Sequence, residues 1–499
     1  MNLDKNWLPM KWPCGPLELA RRNKTRSVKP DLKEALEAWE RPSALELLKR
    51  TPINCLVVDW AAGVPEDSDQ QQALKPLLEA GRRMGLSFVG RVTVKENTAA
   101  AVDAARAAGL RAVMLEDTYG QSFALPAIRQ SPRDKAAWEK ASTIFSSTEN
   151  VWPGLNVETM HGDTAVAGPT GVPWVNSNAW FALLAAELAP GKTLWLDFDP
   201  PDTSTVAHPA DYALAIADSR AYGSQWIISL DDKLRAALQK GNLQAKSVWE
   251  KICETLAFCE SHKEWQRFQS QGVLAVVSDF RGDNAYLSGE VLNLLNRGQV
   301  QFRIIKRSKP LPGLIQGLKA ILWLDKQAPS AEQHSQLLTF ARQGGLVIAA
   351  TCWGPAGVQP TKKDPSLQYK MYNVGKGQIA VAEEGFTDPY QAAVDTHLLV
   401  SRRNDLVRLY NPQTTNCHSS GEFTSPHHGR RLVQVLNYSS DPADSVTLWV
   451  NDRVGSARLW QPETKVARTL HGVAASPGTD FRLPRLSVYC ALEFEGTNL

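Results

Sequence analysis

The stretch KTLWLDFDPPD, residues 192–202, places acidic side chains at the end of an apolar strand. Its core is Leu194, Trp195 and Leu196, and Asp197 and Asp199 follow before two prolines. A strand that is buried on both faces is a continuous apolar run, and charges at its end must face water, a partner or a ligand. The two aspartates alternate along an extended chain and therefore point the same way, and the prolines after them argue against a helix-capping role.

Similar apolar stretches recur from the start of the chain to about residue 265, and helical patterns separate them. Several of these helical patterns end at a glycine, which suits the residue that follows a helix. Eight strand and helix units in about 250 residues predict a TIM (β/α)8 barrel. The expected strands are LPMKW (8–12), NCLVVDW (54–60), LSFVGRV (86–92), RAVMLED (111–117), GLNVET (154–159), VPWV (172–175), TLWLDFD (193–199) and QWIISLD (225–231).

The pattern changes twice after the barrel. Between 266 and 385, strands such as VLAVVSDF and AILWLD alternate with helices, which predicts a smaller open α/β sheet. After 386 the helices stop, and short stretches of alternating apolar and polar residues predict an antiparallel β-sandwich. The sequence therefore predicts a multidomain α/β protein with domains at 1–265, 266–385 and 386–499.

The composition narrows the possible partners. Fifty-five Lys and Arg against 52 Asp and Glu give a formal charge of +3 without a basic block, so neither nucleic acid nor a membrane surface is expected as a partner. No run approaches the roughly 20 apolar residues of a spanning helix. We expect a soluble chain, cytoplasmic, or periplasmic or secreted if a leader has been removed. The seven cysteines are scattered singly, which is typical of buried thiols.

The order of the domains carries a resemblance. A barrel, an α/β domain containing LKAILWLD (318–325) and LLTFARQGGLVIAA (337–350), and a terminal β-sandwich resemble the β-galactosidase-like glycoside hydrolases with a glutamine-amidotransferase-like trimerisation domain. The Asn-Glu pair of such enzymes is absent from the fourth strand, which ends Leu115-Glu116-Asp117. The resemblance implies a carbohydrate substrate, a homo-oligomer and no cofactor.

Candidate catalytic residues are the acids at the carboxyl ends of the barrel strands, where the active sites of such barrels lie. Glycoside hydrolysis needs two carboxyl groups, one protonated and one ionised. By the resemblance, the acid/base comes from the fourth strand and the nucleophile from the seventh, which indicates Glu116 with Asp197 or Asp199. Crowding of these acids is expected to raise the pKa of one of them. Glu158 after the fifth strand is a further catalytic candidate, and Asp59 and Asp117 are candidates for substrate binding; each acid alone could instead cap a helix or form a salt bridge.

Candidate sugar-binding residues lie around residues 174–178. The alternation of Trp174, Asn176 and Asn178 places them on one face of an extended segment, where an aromatic ring and two amides suit a sugar. Trp195 is a further candidate for substrate binding. Asn178 or the serine before it could instead cap the helix that follows.

Two functions remain open at this point. The first is a glycoside hydrolase that cleaves a neutral oligosaccharide or glycoside. The alternative is a catalytically silent barrel that binds glycans or assembles with partners. His161 and Asp163 could be part of a metal site, but no third ligand follows at a recognisable spacing, so no metal is predicted.

Overall fold

The computed structural model forms two compact units, Met1–Pro153 with Ala189–Lys263, and Gly154–Leu188 with Glu264–Leu499. The residues that the structure describes are 6–25, 30–61, 66–92, 97–116, 123–130, 143–156, 160–161, 164–165, 174–201, 206–353, 362–364, 368–410, 414–425, 428–464 and 466–495.

The first unit contains a sheet of eight parallel strands in the order β1-β2-β3-β4-β5-β6-β11-β12. A parallel bridge between Met10 and Ile228 joins the last strand to the first, so the sheet closes on itself. The predicted TIM barrel is thereby confirmed. The strands are β1 (Pro9–Lys11), β2 (Cys55–Asp59), β3 (Ser87–Val92), β4 (Ala112–Leu115), β5 (Ala127–Gln130), β6 (Thr143–Ser146), β11 (Thr193–Leu196) and β12 (Gln225–Trp226).

The described helices of this unit follow the strands and cover the outside of the barrel. Alternate residues of the strands, such as Leu56 and Val58, share an apolar core with helix residues such as Leu74 and Leu77. The helices are α1 (Pro16–Thr25), α2 (Pro30–Glu40), α3 (Asp67–Arg83), α4 (Thr98–Ala107), α6 (Pro209–Ala221), α7 (Asp232–Gln239) and α8 (Leu243–Ser261), with a 3-10 helix at Pro42–Leu48.

Two of the predicted barrel strands are wrong. GLNVET and VPWV contain β7 (Gly154–Asn156) and β10 (Trp174–Asn176), which pair antiparallel with each other and not with the barrel. The real fifth and sixth strands carry polar residues such as Arg129 and Thr143 and are only 4 residues long, so they lack the apolar run of a doubly buried strand. Between β7 and β10 lies a short antiparallel pair, β8 (Met160–His161) and β9 (Thr164–Ala165).

The second unit begins with these elements and helix α5 (Ala179–Leu188), and continues with a seven-stranded open sheet in the order β15-β14-β16-β17-β20-β19-β18. The first five strands in this order are parallel to one another. Strand β19 pairs antiparallel with β20, and β18 pairs antiparallel with β19. The elements are β14 (Leu274–Ser278), α9 (Ala285–Arg297), β15 (Phe302–Lys306), β16 (Ala320–Trp323), α10 (Ala331–Arg342), β17 (Leu346–Ala349), β18 (Lys362–Asp364), β19 (Tyr369–Val374), β20 (Gly377–Ala382) and α11 (Pro389–Val400), with 3-10 helices at Lys263–Arg267, Gly282–Asn284, Thr351–Trp353 and Arg402–Asn404.

The rest of the unit is a β-sandwich. A six-stranded antiparallel sheet, β13-β22-β23-β29-β25-β26, packs on a four-stranded one, β21-β24-β28-β27, around residues such as Val435, Leu448 and Phe481. The strands are β13 (Gln269–Ser270), β21 (Val407–Tyr410), β22 (Thr415–Ser425), β23 (His428–Asn437), β24 (Thr447–Val450), β25 (Ser456–Trp460), β26 (Arg468–His471), β27 (Val473–Ala475), β28 (Gly478–Arg482) and β29 (Tyr489–Glu495). The division at 266 and 386 remains a prediction, because the sheet and the sandwich fall in one compact unit.

A layer of neutral polar side chains joins the open sheet to strand β22, and we call it the seam. The Asn416 amide donates to the side chain of Asn296 at 3.0 Å, and the Gln301 amide donates to the Cys417 carbonyl at 3.0 Å. The Ser419 hydroxyl donates to Gln271 at 3.1 Å. These groups are buried, and their hydrogen bonds offset the free-energy cost of removing them from water.

Two further observations concern the whole chain. All seven cysteines are free thiols; four are buried, as expected, and Cys253, Cys259 and Cys352 are partly buried. No helix in the part of the chain that the structure describes has the length and apolar character needed to cross a membrane.

Candidate active site

The interior of the barrel changes from apolar to charged along its axis. Val57, Val89 and Trp195 belong to an apolar layer inside the barrel. Each of these residues is followed, two positions further along the chain, by a charged one: Asp59, Arg91 and Asp197. Side chains two positions apart on a strand point to the same side, so these three also face the interior. The register pairs Asp59 with Arg91 on neighbouring strands. We call this charged layer at the carboxyl ends of the strands the barrel mouth.

Lys11 of β1 bridges the two aspartates that follow β11. Its Nζ lies 2.5 Å from Asp197 Oδ1 and 2.7 Å from Asp199 Oδ1. The prediction that these two side chains point the same way is confirmed, because one ammonium group contacts both. The Ser229 hydroxyl, which follows β12, donates to the same Asp199 oxygen at 2.6 Å.

Asp199 combines ionisation with exposure. Burial acts to raise its pKa, but the charge and hydrogen bond of Lys11, together with the Ser229 hydroxyl, hold the pKa well below its usual range. Both contacts use Oδ1, and 59% of the side chain remains exposed. Asp199 is therefore an ionised carboxylate that is anchored through one oxygen.

Asp197 is held more rigidly. Its side chain is buried, Lys11 contacts its Oδ1, and its backbone carbonyl accepts a hydrogen bond of 3.2 Å from the Asn150 amide. It therefore fixes the end of β11 and the position of Lys11.

A second group of charges lies beside the first. Arg91 contacts Asp59 Oδ1 through Nε at 2.8 Å and Nη2 at 2.6 Å. Burial acts to raise the pKa of Asp59, but the Arg91 charge and a hydrogen bond from Glu18 lower it below its ordinary value. Asp197 also raises the pKa of Arg91, which links the two groups electrostatically.

Glu18 of helix α1, which interacts with Asp59, has a raised pKa. Its side chain is fully buried, and burial followed by the Asp59 charge raises its pKa despite ion pairs with Arg21 and Arg22. Glu18 is not one of the acids for which crowding was expected to raise the pKa. Of those acids, Asp199 has a lowered pKa because Lys11 supplies the opposite charge, and a raised pKa at Glu116 or Glu158 stays a prediction.

The other predicted catalytic residues have separate outcomes. Glu116 directly follows β4 at the carboxyl end of the barrel. Its pairing with Asp197 or Asp199 stays a prediction. Glu158 and Asp117 lie outside the described residues, so their predicted roles are likewise untested.

The predicted sugar-binding residues belong to the second unit. The Trp174 indole donates to Asn176 Oδ1 at 3.2 Å, and Arg297 of α9 donates to the same oxygen at 3.3 Å and lies 5.7 Å from the Trp174 ring centre. Asn178 is buried at the start of α5. Because β10 is not a barrel strand, the reason for placing these residues in the barrel mouth is removed, and their role in sugar binding stays a prediction.

Trp195 lies inside the barrel. It is 3% exposed, and its ring centre is 6.4 Å from that of Trp7. This is the arrangement of a core residue, and binding of substrate by this ring stays a prediction.

Sequence reasoning did not select Lys11, Arg91 or Glu18. The first two interrupt the apolar strands LPMKW and LSFVGRV, where a charge inside a buried strand requires a partner. That signal was present in the sequence. Glu18 left no comparable signal, because it lies in a helix rich in charge. In the described part of the chain, no cluster of three or more His, Cys, Asp or Glu residues could hold a metal ion.

Comparisons with known proteins define no family for this chain. No protein-family model matches the sequence, and no curated protein sequence matches it. The structure is similar to a β-galactosidase from Bacillus circulans sp. alkalophilus, with 10% identity over 85% of this chain and 67% of that chain, at a TM-score of 0.44. It is similar to a β-galactosidase from Rahnella sp. R3, with 9% identity over 86% and 66% of the two chains and a TM-score of 0.41.

A third similar structure is an exo-β-1,4-mannosidase from Opitutaceae bacterium strain TAV5, with 12% identity over 80% of this chain and 97% of that chain, at a TM-score of 0.40. The chain thus spans about two thirds of the length of the two β-galactosidases. Similarities this distant leave the closed parallel barrel and the charges in its mouth as the basis for a functional conclusion.

Proposed function

We propose that the chain is a glycoside hydrolase whose active site is the barrel mouth. The observation that carries the proposal is Asp199, an exposed, ionised carboxylate held through one oxygen by Lys11 and Ser229 at the carboxyl end of the barrel. Active sites of TIM barrels lie at this end. A neutral oligosaccharide or glycoside remains the proposed substrate.

Asp199 has the properties that one half of the reaction needs. Ionisation suits a nucleophile that attacks the anomeric carbon or a base that takes a proton from water. Anchoring of Oδ1 removes side-chain freedom before the reaction begins. Asp197, which is buried against the same lysine, positions that lysine and is not expected to contact substrate.

The other half of the hydrolysis reaction requires a proton donor, and we assign this role to Glu116. It would give its proton to the leaving oxygen as the glycosidic bond breaks and take one from water in the step that completes hydrolysis. Glu158 is the second choice. Asp59 is assigned to the support of the mouth through Arg91, while Asp117, Trp174, Asn176, Asn178 and Trp195 remain proposed substrate contacts.

The alternative function is a catalytically silent barrel that binds glycans or assembles with partners. One observation favours it: Asp59, Asp197 and Asp199 are each paired with Lys11 or Arg91. A layer of matched charges is also what a structural ionic network contains.

A panel of chromogenic aryl glycosides at several pH values distinguishes the two functions. We expect turnover of at least one member by the wild-type protein and none by Asp199→Asn. Glu116→Gln should lower turnover by about 10²- to 10⁴-fold, and by less for the best leaving groups, because these need little help from an acid.

Asp103→Asn on helix α4 is the matched control, since Asp103 is an exposed aspartate of the same unit. Its turnover should equal that of the wild type. Saturable sugar binding without turnover of any glycoside would establish the silent alternative. If Asp199→Asn were folded and fully active, the proposed site would be wrong.

We also retain the proposal that the region 266–385 is amidotransferase-like and makes subunit contacts in a homo-oligomer. Burial and the nearby Asp325 raise the pKa of the Cys352 thiol, which opposes a nucleophilic role for this cysteine. Light scattering that shows a strict monomer at micromolar concentration would exclude the oligomer.

A further inference from the structure

The outer face of the four-stranded sheet in the sandwich carries a cleft of about 440 Å³. This volume lies within the roughly 300–1,000 Å³ of small-molecule sites. Inner-face residues of the same strands, such as Leu448 and Phe481, fill the sandwich core, so the cleft residues belong to the opposite, solvent-facing side. Its lining is Arg403, Arg408, Tyr410, Trp449, Ala475, Ser476, Pro477 and Asp480.

The floor of the cleft is a row of side chains across three strands. The register aligns Arg408 on β21 with Trp449 on β24, and Trp449 with Asp480 on β28. The Arg408 guanidinium lies 4.4 Å from the Trp449 ring centre and donates to Asp405 at 3.0 Å. The Trp449 indole donates to the Ala475 carbonyl at 3.2 Å. These contacts fix the positions of Arg408 and Trp449, and they use the single N–H donor of the indole.

Two polar groups of the lining are left without partners. Asp480 Oδ1 is buried and has no hydrogen-bond partner in the described structure. Among the described residues, the Arg403 guanidinium makes no ion pair or hydrogen bond either, although it shares the cleft with that carboxylate. A buried acceptor without a donor is uncommon in folded proteins, so Asp480 can still accept a hydrogen bond from a water or a bound ligand.

The third feature is an aromatic face. Tyr410 ends strand β21 and is 44% exposed. A ring of this kind offers an apolar surface beside a polar tip.

We infer that this cleft binds a neutral sugar unit, independently of the barrel. A sugar presents neighbouring hydroxyl groups, each of which both donates and accepts hydrogen bonds. One hydroxyl would donate to Asp480 and another would accept from Arg403, while the C–H face of the ring packs on Tyr410. The opposite charges of Asp480 and Arg403 favour a neutral ligand over an anion or a cation.

Native gel electrophoresis through neutral soluble polysaccharides (galactan, galactomannan, arabinoxylan and xyloglucan) tests the inference. We expect at least one of them to retard the wild-type protein. Tyr410→Ala, Arg403→Gln and Asp480→Asn should each weaken the binding by about fivefold or more, as loss of one stacking or hydrogen-bonding group does.

Two exposed residues of the same unit supply matched controls. Tyr390→Ala removes a tyrosine that is 41% exposed and Arg453→Gln an exposed arginine, both outside the cleft, and neither should change the retardation. Arg403 is exposed, so its variant should fold even if Asp480→Asn does not.

The outcome is separable from the activity of the barrel. Asp199→Asn should retain full retardation, whether or not the wild type hydrolyses aryl glycosides. The inference is overturned if no polysaccharide retards the wild type, or if the three cleft variants are retarded as strongly as the wild type.

Discussion

The barrel mouth of the first unit and the seam of the second unit both bury polar side chains, but they use different chemistry. In the mouth, Lys11 and Arg91 pair with aspartates at 2.5–2.8 Å. In the seam, Asn416, Gln301 and Ser419 make neutral hydrogen bonds of 3.0–3.1 Å, although Ser419 also accepts one of 3.3 Å from the buried Arg431. Burial of charges costs far more than burial of amides, and close ion pairs often fail to recover that cost.

The difference distinguishes the barrel mouth, our proposed active site, from the seam, which is a structural contact. Neutral amides that are fully paired hold two layers together without a large desolvation penalty, which is all that the seam requires. The charges of the barrel mouth carry a larger desolvation penalty, and they lie at the end of the barrel where the active sites of TIM barrels are found. Charges also respond to pH, whereas amides do not, and the loss of a partner costs more for a buried charge than for a buried amide, so the two regions should behave differently under the same perturbation.

The largest effect is expected from Lys11→Met. This variant leaves Asp197 as a buried carboxylate without its cation, which should lower the free energy of unfolding by about 3–5 kcal/mol. Urea denaturation measures the loss, and the double variant with Asp197→Asn should recover part of it. Lys309→Met in the second unit is the control, because its ion pair with Glu187 is partly exposed and should contribute less than about 1 kcal/mol. Equal losses at both positions would remove the distinction.

A smaller effect is expected from Asn416→Ala in the seam. The variant leaves Asn296 without its donor and the Cys417 amide without its acceptor, which should cost about 1–3 kcal/mol. Because no charge is involved, the loss should be the same at all pH values between roughly 5 and 9. Asn416→Asp should cost more and should vary with pH. A loss for Asn416→Ala that changes with pH would show that the seam is coupled to a titrating group.

The pH dependence of stability should contain two opposite contributions from the mouth. Asp59 and Asp199 have lowered pKa values, so their contribution is present above the unfolded pKa and is lost as the pH falls through the folded pKa. Glu18 has a raised pKa, so its contribution is present below the unfolded pKa and is lost as the pH rises through the folded one. One group changes the free energy by at most about 1.4 kcal/mol per pH unit.

Urea unfolding at a series of pH values separates these contributions. Asp199→Asn should flatten the acid side of the profile, and Glu18→Gln, which keeps a neutral side chain at the same place, should flatten the fall in stability above roughly pH 4. If Glu18→Gln left the profile unchanged, the buried glutamate would titrate normally and the assignment of its proton would be wrong.

The sequence predicted the barrel because most of its strands are continuous apolar runs, and it failed where they are not. AIRQ (127–130) and TIFS (143–146) contain polar residues, so the apolar pattern does not identify them as barrel strands. GLNVET and VPWV look like strands and are strands in part, but they pair with each other. Local pattern identifies an extended segment, whereas its partner depends on contacts distant in sequence.

The same limit applies to the site. The alternation of Asp197 and Asp199 is a local property and was predicted correctly, since both contact Lys11. The pairing of Asp59 with Arg91 depends on the register of β2 and β3, which no local pattern specifies. The burial of Glu18 depends on how α1 packs, so a search restricted to the ends of strands did not reach it.

The smallest effect concerns two helix caps, the charged Asp231 in the first unit and the neutral Ser330 in the second. Asp231 Oδ1 accepts a hydrogen bond of 2.8 Å from the Leu234 amide at the start of α7, and Ser330 Oγ accepts one of 3.2 Å from the Gln333 amide at the start of α10. Replacing either residue by alanine should cost about 0.5–2 kcal/mol, with Asp231→Ala nearer the upper value because Tyr212 also donates to this carboxylate.

Salt distinguishes the two caps. The charged cap interacts with the positive end of its helix, and this part of its effect is screened by salt, so the cost of Asp231→Ala should shrink in about 1 M NaCl, where the Debye length is about 3 Å. The cost of Ser330→Ala should stay constant, because a hydroxyl cap carries no charge. Denaturation of both variants at low and high salt gives the measurement. A Ser330→Ala cost that falls as steeply as that of Asp231→Ala would mean that salt acts on the helices in general, and the expected electrostatic difference between these two caps would be wrong.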